Sequence, residues 1–203
     1  MKSFSEIDTI SKRASRALGY SWGISEEIGK NIRLLEMFGL NGIKNFNAYC
    51  NVFKKRKFQN ISLIAKKNYS KTSSFCPITT GINFLDQAKI LEELTDLEFQ
   101  NVGFPLLFLP FVSRASEIIG KKIFLKLDNR EFLLNFNQSI FTNFLNNEII
   151  DNSKIINIKF LTNKDSFTNN EWQNLLNLSH ETFVDENEEL KKTAAGAGLT
   201  DND

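Results

Sequence analysis

Apolar residues recur at helical spacing along the first quarter of the chain and predict three helices there. Ser3 and Glu6 are spaced as a capping box ahead of the first helix, and Ser25 is expected to cap the second. The predicted helices are Phe4 to Leu18, Ser25 to Phe38 and Ile43 to Phe53. The apolar face expected for the first helix consists of Ile7, Ile10, Ala14, Ala17 and Leu18.

Runs rich in β-branched and aromatic residues predict strands in the middle of the chain. The clearest signal is Ile123 to Leu127, Asp128-Asn129 and Arg130 to Phe136, where two such runs flank a turn that tolerates positive φ. The other predicted strands are Ile61 to Ala65, Leu97 to Val102 and Lys154 to Leu161. The sheet should therefore contain at least one hairpin.

Further helices are predicted between and after these strands, over Ile78 to Leu94, Pro105 to Ile119 and Glu171 to Val184. The helix from Pro105 to Ile119 is expected to expose Ser113, Arg114, Ser116 and Glu117. Thr168 is positioned to cap the helix from Glu171 to Val184, which is expected to pack Trp172, Leu175, Leu176 and Leu178.

The order of elements predicts an α+β fold, with N-terminal helices packed on a largely antiparallel sheet, a closing C-terminal helix and an extended tail. A length of 203 residues suits one globular domain, residues 1–203. Within it we expect a helical part (1–56), a mixed part of strands and helices (57–184) and an acidic tail rich in Gly and Ala (185–203).

Composition and charge exclude several classes of protein. A net charge of +1 gives no global attraction for nucleic acid or for a membrane. The N-terminus lacks the features of a secretory signal, and the longest apolar run, Val102 to Val112, is too short to cross a bilayer. Cys50 and Cys76 are not spaced as a metal-binding pair. We therefore expect a cytoplasmic protein with free thiols.

The stretch from Lys54 to Lys71 contains seven basic residues and no acidic ones, with Phe58 and Tyr69 among them. Such a pattern can bind single-stranded nucleic acid. It is also typical of a solvated rim at the ends of a buried strand, here Ile61 to Ala65, and this second interpretation is preferred. Nucleic acid is not an expected partner.

Three segments carry a resemblance to a known family. They are Gly19 to Glu27 with its Ser-Trp-Gly core, the segment with Cys76, Pro77, Gly81 and Asp86, and the terminal GAGLTDND from Gly196 to Asp203. Together they resemble a bacterial domain family of unknown function, of about this length, across nearly the whole chain. The resemblance implies no reaction, but it implies that the tail is ordered or has a role.

The C-terminal tail is a candidate for binding a ligand or a partner. Its candidate residues are Gly196, Gly198, Leu199, Asp201, Asn202 and Asp203. The glycines allow the tail to turn, Leu199 is an apolar anchor, and the carboxylates could meet a cation, an Arg or a helix N-terminus. The alternative is a disordered, solubilising end.

Trp22 is the second candidate, because it lies in an aromatic segment ahead of a predicted helix N-terminus. It could form one wall of an anion site at that terminus. Alternatively, it could close the corner between two packed helices, with its indole N–H bonded to a backbone carbonyl.

Cys76 and His180 are weak candidates for catalysis. A cysteine just before a helix is placed for a lowered thiol pKa, but a nucleophilic cysteine needs a base, and His180 is the one histidine. Cys76 as a buried packing residue is the preferred interpretation. A single histidine also rules out a two-histidine metal centre within one subunit, and no metal-binding residues are assigned, although Asp201 and Asp203 leave an oxygen-liganded Mg²⁺ or Ca²⁺ site open. The sequence leaves the cofactor unknown.

Two functional hypotheses remain. In the first, the protein is a small cytosolic bacterial metabolic protein that binds a small polar ligand in a pocket lined by Trp22 and Cys76 and closed by the tail. In the second, it is a non-catalytic accessory or subunit protein whose tail docks on a partner or on a second copy of the chain. Whether it is an enzyme is left open by both.

Overall fold

A computed structural model of the chain describes residues 2–144 and 148–182. The predicted tail residues Gly196 to Asp203 lie outside the described part. The chain divides into two compact units, Met1–Asn163 and Lys164–Asp203, and each is described by itself.

The first unit begins with three helices and continues as a mixture of helices and strands. The helices are α1 (Phe4–Ala17), α2 (Trp22–Met37), α3 (Gly42–Phe53), α4 (Pro77–Asp86), α5 (Ala88–Leu91) and α6 (Leu109–Ile119). The strands are β1 (Lys67–Tyr69), β2 (Asp96–Gly103), β3 (Ile123–Leu127), β4 (Arg130–Leu134), β5 (Ile140–Thr142) and β6 (Asn152–Phe160). The second unit contains α7 (Asn169–His180). The predicted α+β class is confirmed.

Capping signals in the sequence predict the start of α1 correctly, but they predict the start of α2 about one turn too late. The Ser3 hydroxyl accepts from the Glu6 amide while the Glu6 carboxylate accepts from the Ser3 amide, which confirms the capping box. In α2 the N-cap is Ser21, whose hydroxyl accepts from the Ile24 amide, whereas the predicted cap Ser25 is buried. The Ser-Trp-Gly segment therefore forms the start of α2 rather than a loop ahead of it.

The buried face of α1 differs from the predicted one. Ile10 is 59% exposed, and the buried residues are Ser11 and Ser15. The reason is the close packing of α1 on α2: a Cβ at Gly29 of α2 would lie 2.8 Å from the Asp8 carbonyl oxygen. Where two helices approach this closely, small side chains fill the contact and a larger one such as Ile10 is turned outward.

The described strands form one sheet in the order β1-β2-β6-β3-β4-β5, in which β1 and β2 are parallel and the other neighbours are antiparallel. The predicted hairpin is confirmed: Leu127 pairs with Arg130, and Asp128 in the turn has a φ of 50°. The sheet is therefore largely antiparallel, as expected.

The predicted strand at Ile61 to Ala65 is wrong. Its backbone is instead bound by side chains from α4 and its end: Asn83 donates to the Ile61 carbonyl, and Gln87 donates to the Ser62 carbonyl and accepts from the Ile64 amide. Because these groups are already satisfied, the segment needs no neighbouring strand. The same Gln87 lies between α4 and α5, where the single predicted helix Ile78 to Leu94 is broken.

The core lies between the sheet and the helices α4 and α6. Phe84 of α4 contacts the rings of Phe99, Phe108 and Phe160, with ring centroids 5.6 to 6.5 Å apart. On α6 the predicted exposure of Ser113 and Ser116 is wrong, because both are fully buried. Ser116 satisfies its hydroxyl by donating to the Lys121 carbonyl at 2.5 Å.

In the second unit, Thr168 and Glu171 form the predicted capping box of α7. None of the residues of α7 is buried, and Trp172, Leu175 and Leu178 are each more than half exposed, so their predicted packing stays a prediction. The Phe167 ring stacks on Trp172. Within residues 2–144 and 148–182, no helix combines the length and the apolar composition needed to span a membrane.

Candidate functional site

Two hydroxyls and a thiol from three separate elements meet inside the first unit. Tyr20 follows α1, Tyr49 lies in α3, and Cys76 is the N-cap residue of α4. The Tyr20 and Tyr49 hydroxyl oxygens are 2.5 Å apart, and the Cys76 Sγ lies 3.4 Å from the Tyr49 hydroxyl and 3.8 Å from that of Tyr20. We refer to these three residues as the hydroxyl–thiol cluster.

The two hydroxyls of the cluster are uncharged at neutral pH. Burial raises the pKa of the Tyr20 and Tyr49 hydroxyls well above their ordinary value of 10.0. Both hydroxyls therefore keep their protons and can donate hydrogen bonds. Neither can act as a base toward Cys76, which is itself only 2% exposed.

A cavity of about 280 Å³ opens beside the cluster. The residues that line it are Tyr20, Phe53, Arg56, Phe58, Asn60, Cys76 and Thr79. The polar members of this lining all carry hydrogen-bond donors, and the charged member is the cation Arg56. Among the described residues of the chain, no carboxylate lines the cavity. The cavity is therefore chemically suited to a group that accepts hydrogen bonds.

Arg56 is held in place by groups around the cavity. Its Nη1 donates to both carboxylate oxygens of Asp151, at 3.0 and 2.9 Å, and its Nη2 donates to the Ser74 hydroxyl at 2.8 Å. The guanidinium carbon lies 5.2 Å from the centre of the Phe58 ring and 5.9 Å from that of Phe104. Asp151 offsets part of the charge, but its side chain is 64% exposed and therefore partly screened by solvent.

The first turn of α4 also faces this cavity. Its N-cap residue, Cys76, makes no side-chain capping bond. Thr79, three residues further on, donates its hydroxyl to Asn60 Oδ1 at 2.8 Å. The unpaired amides of a first helical turn give it a partial positive charge, which adds to that of Arg56.

The structure places Trp22 outside the cavity lining. It is the first residue of α2 and is 61% exposed. The Arg16 guanidinium lies 4.7 Å from the centre of its ring, and the same Arg16 donates to the Tyr20 carbonyl. Trp22 thus covers the arginine that holds the backbone at Tyr20. Its predicted role in ligand binding stays a prediction.

The remaining predicted site residues lie in the second unit or outside the described part of the chain. His180 is exposed at the end of α7, in the second unit, and a pairing with Cys76 stays a prediction. The tail residues lie outside the described residues, so its closing of a pocket also stays a prediction. Among the residues that the structure describes, no group of three His, Cys, Asp or Glu side chains is arranged to hold a metal ion.

Little in the sequence points to Tyr49 or Arg56 as site residues. Tyr49 fits the apolar face of α3, and Arg56 was one of several cations in the basic stretch. Tyr20 could have been found from its place beside Trp22. Only the fold shows that these residues meet.

Both thiols should resist alkylation in the folded protein, for different reasons. Cys76 is buried, whereas Cys50 is half-buried and burial raises the pKa of its thiol from 9.0 to about 11. We expect Cys50 to react increasingly as the pH rises toward 11, and Cys76 to react only after unfolding in urea. Mass spectrometry of iodoacetamide adducts measures both. Faster labelling of Cys76 than of Cys50 at pH 7 would contradict this.

The same shift predicts a pH dependence of stability. The folded state holds the Cys50 proton more tightly than the unfolded chain does. The contribution of Cys50 to the free energy of unfolding is therefore complete below pH 9.0 and is lost as the pH rises to about 11. Cys50→Ser should therefore remove this part of the loss of stability between pH 9.0 and about 11.

Comparison with known proteins places a family match in the N-terminal part of the chain. Residues 2–75 match the model of a family described as a protein of unknown function, DUF3726. This stretch contains Tyr20, Tyr49 and Arg56 and stops one residue before Cys76. The match is consistent with a resemblance to an uncharacterised family and does not indicate an activity. No curated protein and no solved structure matches the chain.

Proposed function

We propose that the protein binds a small anionic ligand in the cavity between Tyr20 and Arg56. The observation that carries this proposal is the lining itself, whose described residues combine one cation, several side chains with hydrogen-bond donors and no carboxylate. An anion placed there accepts charge-assisted hydrogen bonds, which are stronger than neutral ones. The uncapped first turn of α4 supports the same ligand chemistry.

The size of the cavity limits the ligand to a small molecule. Its volume of about 280 Å³ corresponds to roughly nine water molecules at about 30 Å³ each. This suits a carboxylate or phosphate compound of a few carbon atoms. The rings of Phe53 and Phe58 supply an apolar wall for its carbon part.

The site favours binding over covalent catalysis by Cys76. A cysteine nucleophile must lose its proton to a base. Among the described residues, the thiol of Cys76 is within hydrogen-bonding distance of two tyrosine hydroxyls, and both of these remain protonated at neutral pH. We assign Cys76 to the wall of the cavity, in a ligand-binding protein of the bacterial cytosol.

Substitution of Arg56 tests the proposal. Inorganic phosphate and acetate are titrated at low ionic strength into isotopically labelled protein, and the amide shifts of Thr79 and Tyr20 give Kd. Arg56→Met should raise Kd by about tenfold or more, because a hydrogen bond to a charged group contributes about 1.5–3 kcal/mol. Asp151→Asn should lower Kd, because the competing carboxylate charge is removed from Arg56.

Arg33→Met is the matched control, since Arg33 also faces a carboxylate, Asp8, and does not line the cavity. It should leave Kd unchanged. Equal Kd values for the Arg56 and Arg33 variants, or shifts that avoid Thr79 and Tyr20, would contradict an anion site here.

A further inference from the structure

The N-terminal helices form a second, larger concave surface, which we call the N-terminal groove. It has a volume of about 780 Å³ and lies along the first turns of α1, beside Glu36 of α2 and the start of α3. Its apolar walls are Phe4, Ile7, Ile10 and Ile43. Three of these remain substantially exposed: Phe4 by 49%, Ile10 by 59% and Ile43 by 41%.

A contiguous apolar surface of this kind is typical of an interaction site. Here the exposed apolar side chains and the concave surface belong to the same face, because Phe4 and Ile10 themselves border the groove. A face that carries exposed apolar side chains beside an apolar hollow is self-complementary. About a two-fold axis, each copy then places its exposed apolar side chains in the groove of the other.

The charges along α1 are self-complementary in the same sense. Glu6, Ile10, Arg13 and Ala17 follow one another at intervals of four, three and four residues and are all exposed. They therefore form one stripe along the outer side of the helix. When two copies of α1 run antiparallel about an axis near Ile10, Glu6 of each copy faces Arg13 of the other.

We infer that a second copy of this chain occupies the N-terminal groove, through antiparallel pairing of α1 with α1. The Ile10 side chains lie at the axis and enter the opposite grooves, while two Glu6–Arg13 pairs flank them. The helix dipoles oppose one another in this arrangement. This interface is independent of the anion-binding cavity, whose lining shares no residue with the groove.

Sedimentation of the full-length protein over a range of concentrations tests the dimer. Ile10→Lys should raise the dimer Kd by about tenfold or more, because it places a charge in the apolar centre of the interface. Ile90→Lys is the matched control: Ile90 is an isoleucine of α5 that is even more exposed, at 68%, and it should leave Kd unchanged. Circular dichroism establishes that both variants fold.

Disulfide trapping tests the geometry. In a Cys50→Ser background, Ile10→Cys should form a covalent dimer under mild oxidation, because a residue beside the axis lies close to its own symmetry mate. Ile90→Cys should not. A protein that stays monomeric at high concentration, or a dimer that Ile10→Lys leaves intact, overturns the inference, and the groove then belongs to a different partner.

Discussion

Gly81→Ala is expected to lower the free energy of unfolding by about 2 kcal/mol, although alanine is the better helix former. Gly81 lies inside α4 against α6, and a Cβ there would lie 2.7 Å from Cε2 of Phe111 and closer still to Cγ and Cδ2. Overpacking a dense core costs about 1–3 kcal/mol, and contacts as short as these belong at the upper end of that range. Subtracting the roughly 1 kcal/mol that alanine gains over glycine in a helix leaves a net loss of about 2 kcal/mol.

Gly23→Ala is the control, because the same substitution should raise the free energy of unfolding at that position. Gly23 lies in the first turns of α2, and an added Cβ would meet nothing within 4 Å. We expect a gain of up to about 1 kcal/mol. Urea unfolding followed by circular dichroism measures both variants.

The Gly81 substitution should also affect the anion site. The contact between Gly81 and Phe111 sets the distance of α4 from α6, and the first turn of α4 faces the cavity with Cys76 and Thr79. Pushing α4 outward moves that turn, so phosphate should bind more weakly than to the Gly23 variant. If Phe111→Leu in the Gly81→Ala background restored no stability, the clash would not be the cause.

Signals confined to a few neighbouring residues predicted their elements well. The capping boxes at Ser3 and Thr168 gave the starts of α1 and α7, and Asp128-Asn129 gave the hairpin turn. In each case the hydrogen bonds or backbone angles that form the structure lie within four residues. The neighbouring residues in the sequence therefore determine these helix starts and the turn completely.

Features that depend on distant partners could not be predicted in this way. Ser11 and Ser15 are buried because α2 approaches closely at Gly29, which no local pattern reveals. The segment Ile61 to Ala65 has a strand-like composition, yet the side chains of Asn83 and Gln87 bind its backbone. Apolar periodicity favoured Ile10 for the core, whereas the packing turned it outward.

The candidate site also combines features that follow from neighbouring residues with features that depend on distant partners. The segment Cys76 to Asp86, singled out by resemblance, is α4 together with its N-cap, and Gly81 is the position where this helix touches α6. The partners of Cys76 could not be inferred, because Tyr49 is an ordinary member of the apolar face of α3 and Tyr20 lies in the short link between α1 and α2. Only the packing of these two segments against the start of α4 brings their hydroxyls to the thiol.

Tyr49→Ala should be the most destabilising of the changes considered, at about 3–5 kcal/mol, the range for removing a large buried aromatic side chain. Tyr49 is fully buried, and its ring lies 5.3 to 5.6 Å from those of Phe53, Phe58 and Phe104. Tyr49→Phe retains these contacts and removes one hydroxyl, so it should cost about 1 kcal/mol. Urea unfolding of the two variants separates the ring from the hydrogen bonds.

Tyr69→Ala is the matched control, because Tyr69 is half exposed on β1 and its removal should change stability little. The alanine at position 49 should also open a path to the thiol, so that Cys76 becomes alkylated in the folded protein, whereas Tyr49→Phe leaves it protected. A phenylalanine variant as unstable as the alanine variant would show that the hydroxyl–thiol cluster, and not aromatic packing, joins α3 to α4. The cavity would then owe its shape to three hydrogen-bonding groups, and its ligand affinity should fall with Tyr49→Phe as well.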